Sequence, residues 1–303
     1  MSQLVFWVFS YNRGNFLQHC IASIEQCAPG CAIRIFDDRS PDPETRQILE
    51  DLSGRHSVHY PADSGAQSKH GGLYANMQAA LTLSGDEELV CFLQDDMQLV
   101  RTVTPEDIQR LEHFFATAAK PCFMRPTFLH HRNPVKDKRL TRYDLERRVY
   151  YVDRFKNSAG AFYSDVCLFR PKDLRAVGWA FVPREANNER QARERLAQMA
   201  YWRDPFASWL PNVPAFRGKA RTWALRMAEK KRRCGFYPLA YMTPEQTQAF
   251  LLRDDQTLPY AEDFLQVREG DLPKPWIYYP LQGSRWLKRL NNVEVKLRKL
   301  MGR

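Results

Sequence analysis

The chain has 303 residues, 44% of them hydrophobic and 26% charged, and 45 Lys and Arg against 35 Asp and Glu give it a net charge of +10. It is long enough to bury a full core, and with neither a long apolar run nor a low-complexity tract it excludes general disorder and a membrane-spanning helix. The basic balance points to anionic partners: nucleic acid, an acidic membrane surface or phosphorylated substrates.

The N-terminal MSQLVFWVFSYNR enters an apolar segment at once, without a basic leader region or a small-residue cleavage site, and reads as a strand over 4–10 rather than a signal peptide. Phe16, Leu17, Cys20, Ile21 and Ile24 then line one face of a helix. AIRIFDD (32–38) is a second strand ending in carboxylates, and DRSPDPETRQILEDL offers Ser40 or Asp42 as N-cap of the next helix. A short strand at 58–60, a Gly-rich basic loop containing Lys69 and His70, the helix LYANMQAALTL and the strand ELVCFLQ follow. This alternation predicts a doubly wound α/β fold with a mostly parallel sheet.

FLQDDMQLV (92–100) ends that last strand in two adjacent carboxylates, Asp95 and Asp96. Two like charges this close repel unless a cation, a proton or solvent compensates, and the carboxyl edge of a parallel sheet is where such folds bind ligands. Beyond it, PEDIQRLEHFFATAA is helical, PCFMRPTFL returns to the sheet, and His130 to Lys156 has no clear pattern. NSAGAFYSDVCLFRPKDLRAVGWAF reads as a turn, a strand and a helix from Pro171 closed by Gly178. NNERQARERLAQMAYW and KARTWALRMAEKKRRCG read as charged helices, and Pro238 to Pro280 as an irregular wrap. His130 and His131 are sequence neighbours, which seldom face one ion, so a surface or acceptor contact fits them better than a metal. Seven scattered cysteines, mostly among apolar residues, read as reduced thiols of a cytoplasmic protein.

Three strand ends therefore meet at one rim: Ser10, Tyr11 and Asn12; Asp37 and Asp38; Asp95 and Asp96. The motifs FSYNR (9–13), FDDRS (36–40), LQDDM (93–97), GGLYANMQAAL and GAFYSDVCLFRPKDLRAVGWAF (160–181), in this order, resemble the family 2 glycosyltransferases of the GT-A fold over residues 4 to about 190. The resemblance implies a GT-A domain over 1–237, with an irregular wrap and a C-terminal helix over 238–303. It implies sugar transfer with inversion from a nucleoside-diphosphate sugar to a hydroxyl of a glycan or lipid-linked acceptor, with Mg²⁺ or Mn²⁺ as cofactor. It places Tyr11 at the base, Asp38 at ribose or base, Asp95 near sugar and ribose, and Asp96 on the metal. Ser10, Asn12, Asp37 and Lys69 complete the expected donor site. Gln94 departs from the common pattern, which carries an acid there. An acid pair about ten residues after the Gly-aromatic turn implies Glu189 as general base, with Glu185 second. Both also fit as first-turn acids of a helix.

From Arg285 to Arg303, seven Lys or Arg against Glu294 give +6, and Trp286, Leu290, Val293, Leu297 and Leu300 form a narrow apolar stripe. A basic amphipathic helix of this kind suits an anionic membrane surface, giving a cytoplasmic protein held peripherally on the inner face. Docking on the domain or pairing in a coiled coil are the alternatives. A nucleotidyltransferase should carry more glycine and a basic residue after the first strand. Nucleic-acid binding leaves the acidic rim unexplained, and a non-catalytic GT-A-like scaffold remains open because of Gln94.

Overall fold

A computed structural model describes residues 3–61, 72–153, 160–215 and 221–300. β1 (Gln3–Ser10) is apolar on both sides, and Leu4 to Phe9 are all 4% exposed or less, as a central strand covered on two faces requires. α1 (Gly14–Cys27), β2 (Ala32–Asp37), α2 (Pro43–Ser53), β3 (Ser57–His59), α3 (Leu73–Leu83) and β4 (Glu88–Gln94) alternate as expected. Of the two offered caps, Asp42 starts α2, accepting the Thr45 N–H at 3.0 Å with Pro43 in the first turn.

The chain continues through β5 (Met97–Leu99), α4 (Pro105–Ala116), β6 (Met124–Arg125), α5 (Pro134–Leu140), β7 (Thr141–Asp144), β8 (Val149–Val152), β9 (Cys167–Phe169), α6 (Pro171–Ala176) and α7 (Glu185–Arg195). It ends with β10 (Ala200–Trp202), β11 (Ala207–Trp209), α8 (Trp223–Lys231), α9 (Pro244–Leu251), α10 (Ala261–Phe264) and α11 (Arg285–Leu300). The segment without a sequence pattern holds the β7–β8 hairpin. The charged helix stops at Arg195, earlier than its sequence suggests, because Ala200, Tyr201 and Trp202 are claimed by strand pairing to β6 and β8. Buried aromatic residues suit a pleated surface better than a helix face.

The nine-stranded sheet runs β3-β2-β1-β4-β9-β6-β10-β8-β7, parallel from β3 to β4, with β9 antiparallel to both its neighbours, and β5 and β11 form a separate pair. β1 side chains alternate between two cores. Leu4, Phe6 and Val8 pack with Leu17, Ile21 and Ile24 of α1, whereas Val5, Trp7 and Phe9 pack with Met77 and Leu81 of α3 and with Phe181. The wrap after Pro238 contributes Leu239, Phe250, Leu265, Leu272 and Trp276 to a third core with Phe16, Val100 and Phe128, so it covers the face bearing α1.

The C-terminal helix lies on α8. Leu287 is buried against Ala224 and Ala228, and Asn291 Oδ1 accepts the Thr222 hydroxyl at 2.7 Å. The Glu294 carboxylate accepts the Trp223 N–H at 2.8 Å, capping the start of α8. The docked stripe is thus a different one from that picked out by hydrophobicity: Trp286, Val293, Leu297 and Leu300 are 51–84% exposed, and only Leu290 of the expected stripe packs inward.

Candidate functional site

β1 ends between two loops that close onto its carbonyls. The Asp38 N–H donates to Ser10 O at 3.0 Å and the Asp95 N–H to Phe9 O at 3.1 Å, which sets both carboxylates on either side of Tyr11. The Tyr11 N–H in turn approaches Asp95 Oδ2 at 3.4 Å. Tyr11 and Asp38 are half-buried, so both keep a surface toward the crevice.

Asp38 is held from the other side by α3. Its Oδ2 accepts the Gly72 N–H at 2.7 Å, and Asn76 Nδ2 lies 3.5 Å from Oδ1. A Cβ at residue 72 would collide with Asp38 Oδ1, so this close approach requires glycine. Lys69 and His70, expected near the phosphates, lie outside the described residues.

Asp95 and Asp96 share one cation, Arg13. Its Nη1 is 2.8 Å from Asp96 Oδ2 and 3.5 Å from Asp95 Oδ1, while Nη2 donates to Pro214 O at 2.7 Å. Burial raises the Asp95 carboxyl, with Asp96 adding to the rise and Arg13 and the Tyr11 N–H opposing it. Burial alone would lower Arg13, but the two carboxylates outweigh it and hold the guanidinium above its ordinary value. Asp96 Oδ1 is buried with no hydrogen-bond partner. A carboxylate oxygen free in this way fits a hard divalent cation. Among the described residues no group of three His, Cys, Asp or Glu is placed to hold a metal, so most of an ion's remaining ligands would come from the donor and from water.

Three expected donor residues, and the expected base, turn inward instead. Asp37 is fully buried, and its oxygens accept the Ser40 N–H and hydroxyl, each at 2.7 Å. Burial raises its carboxyl against those two bonds, and no oxygen is left for a nucleotide. Ser10 is 4% exposed and serves the rim through its carbonyl. Asn12 adopts φ 53° and ties the loop together, its N–H donating to Ser40 Oγ at 2.8 Å and its Oδ1 accepting from Asp42 N at 3.2 Å. Glu189, expected as the base, is fully buried. Its Oε2 accepts the N–H groups of Phe162 and Tyr163 at 3.0 and 2.9 Å, and its Oε1 pairs with Arg193 at 2.9 Å. A carboxylate bound this way pins the turn 160–163 and is closed to solvent. Asn188, also buried, bonds both backbone groups of Val182.

Glu185 is half-buried, whereas Glu189 is fully buried. Glu185 opens α7 directly after Arg184, which sits at φ 80°, a left-handed conformation uncommon for a side chain of this size. Burial pushes its carboxyl up to about 7, with the charge of Asp165 adding to the rise and Arg125 and the Asp165 N–H opposing it. Asp165 is raised as well, first by burial, while Tyr74 donates its hydroxyl to Oδ2 at 3.2 Å. Asp165 Oδ1 is buried without a partner. The antiparallel register pairs Phe92 with Cys167, so two residues further it sets Asp165 opposite Gln94, one strand from Asp95. Sequence reading missed both Asp165 and Arg13, although each lies inside a quoted motif. The available signals were an Asp two residues before the apolar CLF strand and an Arg two residues past Tyr11.

The two adjacent histidines part company. His130 is buried, stacked on Tyr278 with centroids 4.2 Å apart, and burial lowers it to about 3. His131 faces Asp263 at 2.8 Å.

No family model and no curated protein matches the chain. Among solved structures it is similar to S. aureus TarS 1–349, at 14% identity and TM-score 0.48, covering 68% of this chain and 60% of that one. It is also similar to the mannosyltransferase PcManGT from Pyrobaculum calidifontis, in complex with GDP-Man and Mn²⁺, at 12% identity and TM-score 0.43, covering 98% of this chain and 75% of that one. A third likeness is to the galactosyltransferase LgtC in complex with donor and acceptor sugar analogs, at 12% identity and TM-score 0.38, covering 75% of this chain and 94% of that one. The chain thus spans about 60% of the length of the TarS fragment. With identities this low, the chemistry has to be read from this chain's own residues.

Proposed function

We propose that this protein is a metal-dependent, inverting glycosyltransferase of the GT-A type and similar to family 2, moving a hexose from a nucleoside-diphosphate sugar to a hydroxyl of a glycan or lipid-linked acceptor in bacterial-type surface polysaccharide synthesis. The observation that carries this is the meeting of Asp38, Asp95 and Asp96 around the end of β1, with the raised carboxyls Asp165 and Glu185 on the adjoining strand and helix. Donor chemistry matches the first group: a flat base against Tyr11, a ribose diol donating to the Asp38 carboxylate, and a cation site at Asp96 for the diphosphate. A Mg²⁺ or Mn²⁺ ion held there supplies Lewis-acid neutralisation of the charge on the departing diphosphate.

Glu185 is the base in this reading. A carboxylate with a value near neutrality is partly ionised at working pH and still basic enough to take the acceptor hydroxyl proton as the bond to the anomeric carbon forms. Asp165 keeps that value high. Glu189 positions both by fixing the turn that precedes Asp165. The outward stripe of α11, with Trp286, Val293, Leu297 and Leu300 among Arg285, Arg289 and Lys296, supports peripheral attachment to an anionic membrane surface on the cytoplasmic side, where a lipid-linked acceptor would be met. Among the described residues no helix is long and apolar enough to cross a membrane.

Calorimetry with UDP or GDP, with and without Mn²⁺, tests the core of this proposal. Metal-dependent binding that disappears in Asp96→Ala is expected, with the thermal unfolding of the variant little changed. Equal affinity in both proteins, with the same metal dependence, would remove Asp96 from the site.

A further inference from the structure

Two adjacent buried carboxylates need a compensating charge, and among the described residues Arg13 alone forms ion pairs with Asp95 and Asp96. Arg13 is not a surface side chain that happens to reach the rim. It is 8% exposed, its guanidinium lies 5.4 Å from the Phe16 ring centroid, and its second nitrogen is fixed by Pro214 O. Its fork holds Asp96 by Oδ2 and leaves the buried Oδ1 without a partner. One positive charge beside two acids leaves at most one negative charge uncompensated. A divalent ion arriving alone would therefore meet at most one uncompensated charge and the repulsion of a guanidinium bonded to its ligand. A nucleoside diphosphate changes this balance, because its phosphate oxygens offer both the ion and the guanidinium anionic partners in bidentate geometry.

We propose that Arg13 is the resident counter-ion of the Asp95–Asp96 pair and makes metal binding conditional on the donor: the ion is accepted at Asp96 together with the diphosphate and only weakly without it. This rests on the reading of Asp96 as a metal ligand. It adds a reason for the Arg two residues past Tyr11, and it makes the rim stable and charged before any ligand arrives.

The test is titration of the full chain with Mn²⁺ alone, followed by calorimetry. Arg13→Gln should bind Mn²⁺ at least about tenfold more tightly than the parent protein, since a like charge beside the ion is removed. The double variant Arg13→Gln, Asp96→Asn should return to weak binding. A folded Arg13→Gln protein whose Mn²⁺ affinity equals the parent's would overturn the proposal. If that variant does not fold, Arg13→Lys carries the test. Lysine has one nitrogen where Arg13 uses two, Nη1 on Asp96 and Nη2 on Pro214 O, so its hold on Asp96 is weaker, an increase of about threefold is expected and no increase overturns the proposal. Failure of the underlying reading looks different: the parent protein would then bind UDP or GDP equally with and without Mn²⁺.

Discussion

On the β1 side of the rim, Asp38 and Asp95 follow directly from parallel strands and their N–H groups close onto β1 carbonyls, whereas on the β9 side Asp165 precedes an antiparallel strand and Glu185 opens a helix. Burial raises carboxyls in both groups, but in the first Arg13 forms ion pairs with Asp95 and Asp96 and opposes the rise, whereas in the second Asp165 raises Glu185 further and Arg125 is the opposing charge. A site that neutralises its carboxylates with a cation is suited to binding an ion and phosphates. One that lets two acids share their charge is suited to exchanging a proton. In the proposed reading the two halves do distinct work, a division that variants of Glu185 and Asp165 can break.

The largest effect is expected at the proton-exchanging half. Glu185→Gln should retain nucleotide affinity and lower turnover by about two to four orders of magnitude, the usual contribution of a positioned base. Glu189→Ala should act in the opposite manner. It orphans the N–H groups of the 160–163 turn and leaves Arg193 without this partner, costing about 3 kcal/mol or more of stability. Thermal unfolding and single-turnover kinetics on both variants separate the roles. A Glu185→Gln protein with parental turnover would return the base to an unassigned residue.

The contrast also explains how much could be read from the sequence. Parallel strands ending in Asp announce themselves, since the apolar run and the carboxylate are contiguous, and β1, β2 and β4 with Asp38, Asp95 and Asp96 were legible for that reason. Asp165 was not, because its approach to the end of β4 comes from the antiparallel pairing of Phe92 with Cys167, 75 positions apart, which no local pattern encodes. Glu189 and Asp37 look like site acids in sequence because hydrogen-bonded buried carboxylates and ligand-facing ones share the same motif positions. Only the partners distinguish them. β10 escaped notice for a related reason: its three residues continue a helical charge pattern, and their strand pairing is with residues 76 and 49 to 53 positions upstream.

A subtler effect is expected in the pH profile. Glu185 accepts a proton only when ionised, so turnover should rise with pH through about 7. Burial is the main cause of that high value and persists in Asp165→Asn. The variant loses the second cause, the neighbouring negative charge, and the rising limb should therefore move to lower pH. The kcat profile of the variant measures this directly. A limb that stays in place, or moves to higher pH, would break the coupling between the two acids and with it the contrast to the Arg13 side.

The smallest effect concerns a region outside both halves. Because Leu287, Asn291 and Glu294 tie α11 to α8, deleting the whole helix would strip α8 of its cap and its apolar cover, and a loss of stability would be confused with a loss of membrane binding. Substituting the outward stripe avoids this: Trp286 and Leu297 are 56% and 51% exposed, so Trp286→Ser with Leu297→Ser should leave unfolding temperature and nucleotide affinity unchanged. Vesicles containing anionic lipid should bind the double variant more weakly by about tenfold or less, since each of these half-exposed side chains inserts only part of its surface and contributes at most roughly 1 kcal/mol. The parent's binding should also weaken with salt, since exposed Arg285, Arg289 and Lys296 act over a screening length of about 8 Å at physiological ionic strength. Equal sedimentation of both proteins with such vesicles at low salt would mean that the stripe faces something other than lipid.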